Sequence, residues 1–129
     1  MKSVLNFKKM IILIGCILLI ACEDERFDKA YAKIISPSDN ATFKNNDTII
    51  FITEGKRSGV LFEFDECKLK VYNMRTAKLE IDESYLDYDT VYFFPSVVDT
   101  TMYLVSAEYW REDAKSPERA NQIKIKVTP

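Results

Sequence analysis

From residue 31 onward this sequence predicts an all-β fold, a two-sheet sandwich of about seven strands, and three observations carry that reading. Short segments rich in Ile, Val, Phe, Tyr and Thr recur between clusters of Gly, Pro, Asn, Asp and Ser, the residues that build turns. No run of ten or more residues shows a convincing 3.6-residue apolar period, and only residues 111–120 have the makings of a helical turn. The last segment alternates cleanly, with Ile123, Ile125 and Val127 on one side and Lys124 and Lys126 on the other. That is the two-residue period of a strand with one dry face.

The elements follow in order. Tyr31 to Ser36 reads as the first strand, ended by Ser36-Pro37-Ser38-Asp39-Asn40. Lys44-Asn45-Asn46-Asp47 is a turn, and Thr48 to Thr53 is a strong second strand. Glu54 to Gly59 reads as a loop because it holds two of the three glycines. Val60 to Asp65 and Cys67 to Tyr72 come next, then a turn at Asn73 to Ala77 and a strand at Lys78 to Ile81. Thr90 to Phe94, Met102 to Trp110 and Gln122 to Val127 complete the set. This number and spacing of strands suits a sandwich better than a closed barrel.

Three stretches resemble immunoglobulin-like and fibronectin type III-like domains, and together they span about residues 31 to 129. Residues 34–43 with Asp47-Thr48-Ile49-Ile50-Phe51 look like the first two strands of bacterial modules of this kind. Asp99-Thr100-Thr101-Met102-Tyr103-Leu104-Val105 is similar to their tyrosine corner. The resemblance implies that the Tyr103 ring packs in the core and its hydroxyl bonds the backbone across the preceding turn. Residues 116–127 look like the last loop and strand. The chain departs from the antibody pattern in lacking an inter-sheet cysteine pair and in placing Trp110, its only tryptophan, late in the chain.

The N-terminus reads as an address. Lys2, Lys8 and Lys9 precede an uncharged run from Met10 to Ala21, the basic and apolar regions of a secretion signal. Twelve residues in a helix rise about 18 Å, short of the roughly 30 Å of a bilayer core. Leu19-Ile20-Ala21-Cys22 resembles the lipobox of bacterial lipoproteins. The resemblance implies cleavage before Cys22, a lipid on its thiol, and anchorage to the outer membrane. A second match, Leu13-Ile14-Gly15-Cys16, lies too close to Lys9 and would leave an apolar stub. Glu23-Asp24-Glu25 follows the lipid site directly. An acidic run there resembles a signal for display on the cell surface in some Gram-negative bacteria, and one for inner-membrane retention in others. Surface display is the reading taken here. The expected organisation is a signal at 1–21, an acidic tether at 22–30 and a sandwich at 31–129.

Charge and chemistry narrow the function. Three of the 18 Lys and Arg leave with the signal while all 20 Asp and Glu remain, so the mature chain carries 15 bases against 20 acids, a net charge of −5. Nucleic acid is therefore not an expected partner. With Cys16 discarded and Cys22 lipidated, Cys67 stands alone, and its alternation with Leu69 and Val71 places it in the core. The chain has no histidine, which removes Ser-His-Asp triads, typical zinc sites and most acid–base pairs. Carboxylate-only hydrolysis survives that test, but no pairing of acids is legible. No enzyme activity, cofactor or metal is expected.

Recognition in such sandwiches uses end loops or an exposed sheet face. Tyr109-Trp110 leads into the polar loop Arg111 to Pro117 and is the candidate ligand-binding pair, able to stack on a sugar or anchor a protein. The alternative is that one ring points inward and the other caps the sandwich edge. Tyr85-Leu86-Asp87-Tyr88-Asp89 mixes rings with acids, and reads as a solvated connector more readily than as a cation or sugar site. Asp47-Thr48-Ile49, Asp89-Thr90-Val91 and Asp99-Thr100-Thr101 resemble sites that some bacteria O-glycosylate on exported proteins. The leading expectation is a non-enzymatic surface lipoprotein with a binding or adhesion module. The alternatives are a glycan-binding accessory of an outer-membrane uptake system and an immunity or inhibitor lipoprotein.

Overall fold

Alternation decides which way each strand faces, and the faces close into two sheets. The computed structural model describes residues 30–56 and 65–129. Among them are eight strands and no helix: β1 (Tyr31–Ser36), β2 (Thr42–Lys44), β3 (Ile49–Lys56), β4 (Glu66–Asn73), β5 (Lys78–Tyr85), β6 (Tyr88–Phe93), β7 (Thr101–Trp110) and β8 (Arg119–Thr128). One sheet has the order β1-β3-β6 and the other β2-β8-β7-β4-β5. All pairings are antiparallel except β2 with β8. This is an immunoglobulin-like sandwich in which β5 stays on the sheet of β4, and the two-residue link Leu86-Asp87 carries the chain across to β6.

The core lies between the sheets. Ile49, Phe51 and Thr53 of β3 meet Leu69 and Val71 of β4, Tyr103, Val105 and Ala107 of β7, and Ile125 and Val127 of β8, all buried. Phe93 links the layers, tilted on Phe51 at 6.0 Å and edge-on to Tyr103 at 5.3 Å, the offset arrangements that ring quadrupoles favour. At one end the sheets come close. A methyl group built on Gly55 would lie 2.5 Å from the Cys67 sulfur and 2.9 Å from the Tyr85 ring. Cys67 is thus a buried core thiol, as its alternation implies, with its sulfur 3.8 Å from the Tyr31 carbonyl oxygen.

Several expectations are corrected. β3 runs through Glu54 and Gly55 to Lys56 where a loop was expected, because this glycine fills a close approach and not a turn. β5 likewise continues to Tyr85, so the mixed segment 85–89 ends one strand and starts the next. β2 was not legible, since three residues carry no pattern and its parallel partner lies more than 80 residues away. Residues 111–118 form turns and no helix. The strand expected at Val60 to Asp65 lies outside the described residues, apart from Asp65, which is not in a strand.

Tyr85 supplies a pH test. Its ring is buried and its hydroxyl donates to the Glu54 carbonyl at 3.1 Å. Burial, with a smaller electrostatic contribution from the nearby Cys67, raises its pKa well above that of a free tyrosine. The unfolded chain therefore releases this proton first, at about pH 10. Stability from Tyr85 is complete below that pH and declines as pH rises above it. Thermal melts of the Tyr85→Phe variant should lose less stability above about pH 10 than melts of the wild-type chain. Equal alkaline slopes would contradict this.

Candidate functional site

The pair singled out by sequence separates in the structure. Strand alternation turns Tyr109 inward, where it is buried and its hydroxyl donates to the Asp65 carboxylate. The other oxygen of Asp65 accepts the backbone N–H of Glu112 at 3.1 Å, so this acid pins the start of the 111–118 loop. Trp110 turns outward and lies half-buried across the outer face of the five-stranded sheet. The ammonium groups of Lys68 and Lys70 sit 4.9 and 4.8 Å from its ring centre. Tyr109 and Trp110 therefore form no shared stacking platform: one ring points into the core and the other lies on the outer face of the sheet.

Beneath Trp110 lies a buried acid. Glu108 receives the indole N–H at 3.0 Å, the Ser106 hydroxyl at 3.0 Å and the Lys70 ammonium at 3.4 Å. Burial pulls the Lys70 pKa down most strongly of any single cause, but Glu108, Tyr72 and Asp82 together outweigh it and the net displacement is upward. The cluster is thus charged and internally satisfied. Beside it a shallow cleft of about 310 Å³ is lined by Trp110, Lys68, Glu66 and residues 111–114. Lys68 is bridged to Glu66 at 3.7 Å and Arg111 to Glu118 at 3.6 Å, so its walls offer mixed and partly paired charge.

The outer face of the three-stranded sheet is different. Ile50 faces Tyr92 across β3 and β6, Ile52 lies between Ser36 and Thr90, and Ile35 projects from a bulge in β1. All of these apolar side chains are exposed, and the rings of Tyr88, Tyr92 and Phe94 reach 70%, 59% and 71% exposure. One end of the face is polar. The Tyr31 and Tyr88 hydroxyls both donate to Oε1 of Glu54, at 2.7 and 3.1 Å. The Tyr31 bond lowers the Glu54 pKa, burial opposes it, and the Tyr88 bond and Lys33 add to the lowering. The carboxylate thus stays charged at neutral pH. Apolar side chains are thus gathered on one exposed face with a polar margin.

No protein-family model matches the chain, and no curated protein matches it. Two solved structures are similar in shape. The fibronectin(III)-like modules of Clostridium thermocellum CbhA align with a TM-score of 0.46 and 17% identity, over 75% of this chain and 94% of that one. A CARDB domain from Pyrococcus furiosus, solved in complex with di-metal ions, aligns with a TM-score of 0.47 and 12% identity, over 79% of this chain and 91% of that one. In this chain no group of three His, Cys, Asp or Glu among the described residues is placed to hold a metal ion.

The remaining sequence-derived residues have structural surroundings. The Tyr103 ring is buried against Phe93, as a tyrosine corner requires, but its hydroxyl makes no hydrogen bond to a described backbone group of the 94–100 turn. That turn is held instead by Asp99, which pairs with Arg75 at 2.7 Å and whose carbonyl accepts the Thr101 hydroxyl at 2.9 Å. Cys22 lies outside the described residues. The aromatic face escaped notice because each residue in it reads as an ordinary strand former. Its signal was present in Ile49-Ile50-Phe51-Ile52 and Val91-Tyr92-Phe93-Phe94, two runs in which the outward positions are as apolar as the inward ones.

Proposed function

We propose that this chain is a cell-envelope lipoprotein, anchored through Cys22, whose immunoglobulin-like domain is a non-enzymatic module that binds a protein partner. The outer face of the three-stranded sheet is the contact surface. The single observation that supports it is the row of exposed apolar and aromatic side chains on a face that contributes nothing to the core. The anchor is supported by Leu19-Ile20-Ala21-Cys22 after a basic and apolar leader.

Two experiments test this reading. Cells expressing the full chain should incorporate labelled palmitate into it, and Cys22→Ser should abolish the label and release the protein from membranes. A membrane-bound, unlabelled wild type would sink the lipid anchor. For the face, a photo-crosslinking residue in place of Tyr92 or Phe94 should yield discrete adducts on intact cells, whereas one in place of Lys124 or Lys126 on the opposite sheet should not. Adducts independent of position, or none, would refute the assignment.

A glycan-binding reading has one observation in its favour: the rings of Tyr88, Tyr92 and Phe94 alternate along one edge of this face and are open to solvent. Polysaccharides that quench the tyrosine emission of wild type, but not of the Tyr88→Ser, Tyr92→Ser double variant, would favour it over the protein partner.

A further inference from the structure

Each sheet has two edge strands, and three of the four discourage a further strand. On β1 the Ile34 N–H donates to the Asn121 side chain at 3.0 Å, and the Ala30 carbonyl accepts the Arg119 guanidinium at 3.2 Å. β5 exposes Lys78, Glu80, Asp82 and Glu83, charges that keep another strand away. β2 has only three residues. β6 is the open edge. The Gly55 N–H donates to the Asp87 carbonyl at 2.6 Å, and Thr53, Phe51 and Ile49 face Asp89, Val91 and Phe93 in the same register. Hydrogen-bonded positions of an antiparallel pair recur at every second residue. Tyr88, Thr90 and Tyr92 therefore turn their backbone groups away from β3. Among the described residues, the only partner these groups meet is the Asp89 carboxylate, which accepts the Thr90 N–H at 2.9 Å.

The apolar side chains along this edge form a palindrome. Leu86 and Tyr88 lie four and two residues before Thr90, and Tyr92 and Phe94 lie two and four after it. They are four of the five most exposed large apolar side chains among the described residues. A twofold axis through Thr90 matches this pattern to itself, the self-complementarity that an isologous interface requires. We propose that two copies of the domain pair antiparallel through β6, joining their three-stranded sheets into one six-stranded sheet of order β1-β3-β6-β6-β3-β1.

In that register Thr90 faces the second copy's Thr90, and Tyr88 of each copy faces Tyr92 of the other. These three pairs exchange two hydrogen bonds each, and the tyrosine rings meet across the joint. Phe94 comes beside the second copy's Leu86. Asp89 yields the Thr90 N–H to the second copy's Thr90 carbonyl and lies opposite its Val91. Sliding the strands by two residues either way loses one hydrogen-bonded pair. One of those slides also sets Asp89 against Asp89, where like charges repel. The occupant is a second copy, and not an unrelated strand, because the edge is complementary to itself in pattern and in charge. The dimer does not depend on the lipid anchor, and it leaves Ile35, Ile50 and Ile52 exposed on both copies.

The signal-free chain with Cys22→Ser is expected to sediment as a dimer at concentrations up to millimolar. In that background Thr90→Lys and Thr90→Glu, each checked by circular dichroism, change an exposed position and put like charges on the axis. Each alone is expected to lose the dimer, and an equal mixture of the two is expected to regain it, because opposite charges then meet. In the full chain made by cells, Thr90→Cys is expected to be trapped as a disulfide-linked dimer. Residues paired in this way lie about 5.5 Å apart between Cα atoms, within disulfide reach. Ser84→Cys, on the β5 edge, is expected to give no such link. A chain that stays monomeric, a dimer that survives both charge variants, a mixture that fails to pair, or equal linkage at positions 84 and 90 overturns the proposal. None of these outcomes bears on the lipid at Cys22, which the palmitate label tests separately.

Discussion

Replacing Gly55 with alanine is expected to cost roughly 2–3 kcal/mol of stability, as overpacking of a dense core does. The added methyl would lie 2.5 Å from the Cys67 sulfur, 2.9 Å from the Tyr85 ring and 3.0 Å from the Cys67 β-carbon. Two of these atoms belong to side chains of the facing sheet near their backbones, so relief requires the two layers to part at this end. A loss of that size lowers Tm by roughly 10–20 °C for a domain of this length. Adding Cys67→Ala removes the nearest atom but leaves the Tyr85 ring in place. The double variant should therefore be less destabilised than the sum of the two single changes, a coupling readable in a double-mutant cycle. A Gly55→Ala chain that melts with wild type would show that the sheets do not meet as described.

Removing the carboxylate of Glu108 is the second large effect. Its side chain is only 8% exposed and that of Lys70 15%, so Glu108→Ala strands a nearly buried ammonium together with the Trp110 N–H and the Ser106 hydroxyl. Breaking one side of such a pair costs about 3 kcal/mol or more. Glu108→Gln keeps an acceptor for the indole and the hydroxyl and should lose distinctly less. The pH response separates charge from shape. The folded state raises the Lys70 pKa, so its stabilising contribution is complete below the unfolded value of about 10.4 and fades as pH rises beyond it. That alkaline decline should weaken in Glu108→Gln. A Glu108→Ala chain as stable as wild type would show the cluster to be dispensable.

Much of the architecture was legible because strand formation in a half-buried sheet leaves a local trace. Ile123, Ile125 and Val127 against Lys124 and Lys126 display the dry and wet faces of β8 outright, and all three apolar residues are buried. Glu54 and Gly55 misled for a physical reason. Glycine is common in turns, and only the distance to Cys67 on the other sheet shows that this one makes room for a neighbour. The candidate site was legible in part. Tyr109-Trp110 stands out in the sequence as an unusual pair, yet successive strand residues point to opposite faces, so two adjacent rings on β7 could not share a surface.

The sequence by itself determined the all-β class, the burial of Cys67, the net negative charge of the chain and the lack of histidine, because each is a property of residue type or of a two-residue period. Only the tertiary structure decided that Ile35, Ile50, Ile52, Tyr92 and Phe94, from three strands far apart in the chain, share one exposed face. It alone placed Glu54 between two tyrosine hydroxyls and sealed Glu108 under Trp110. The physical reason is common to all of these. A strand's own residues reveal that it has two faces, but which face meets solvent, and what lies beside it, depends on pairings made across the whole chain.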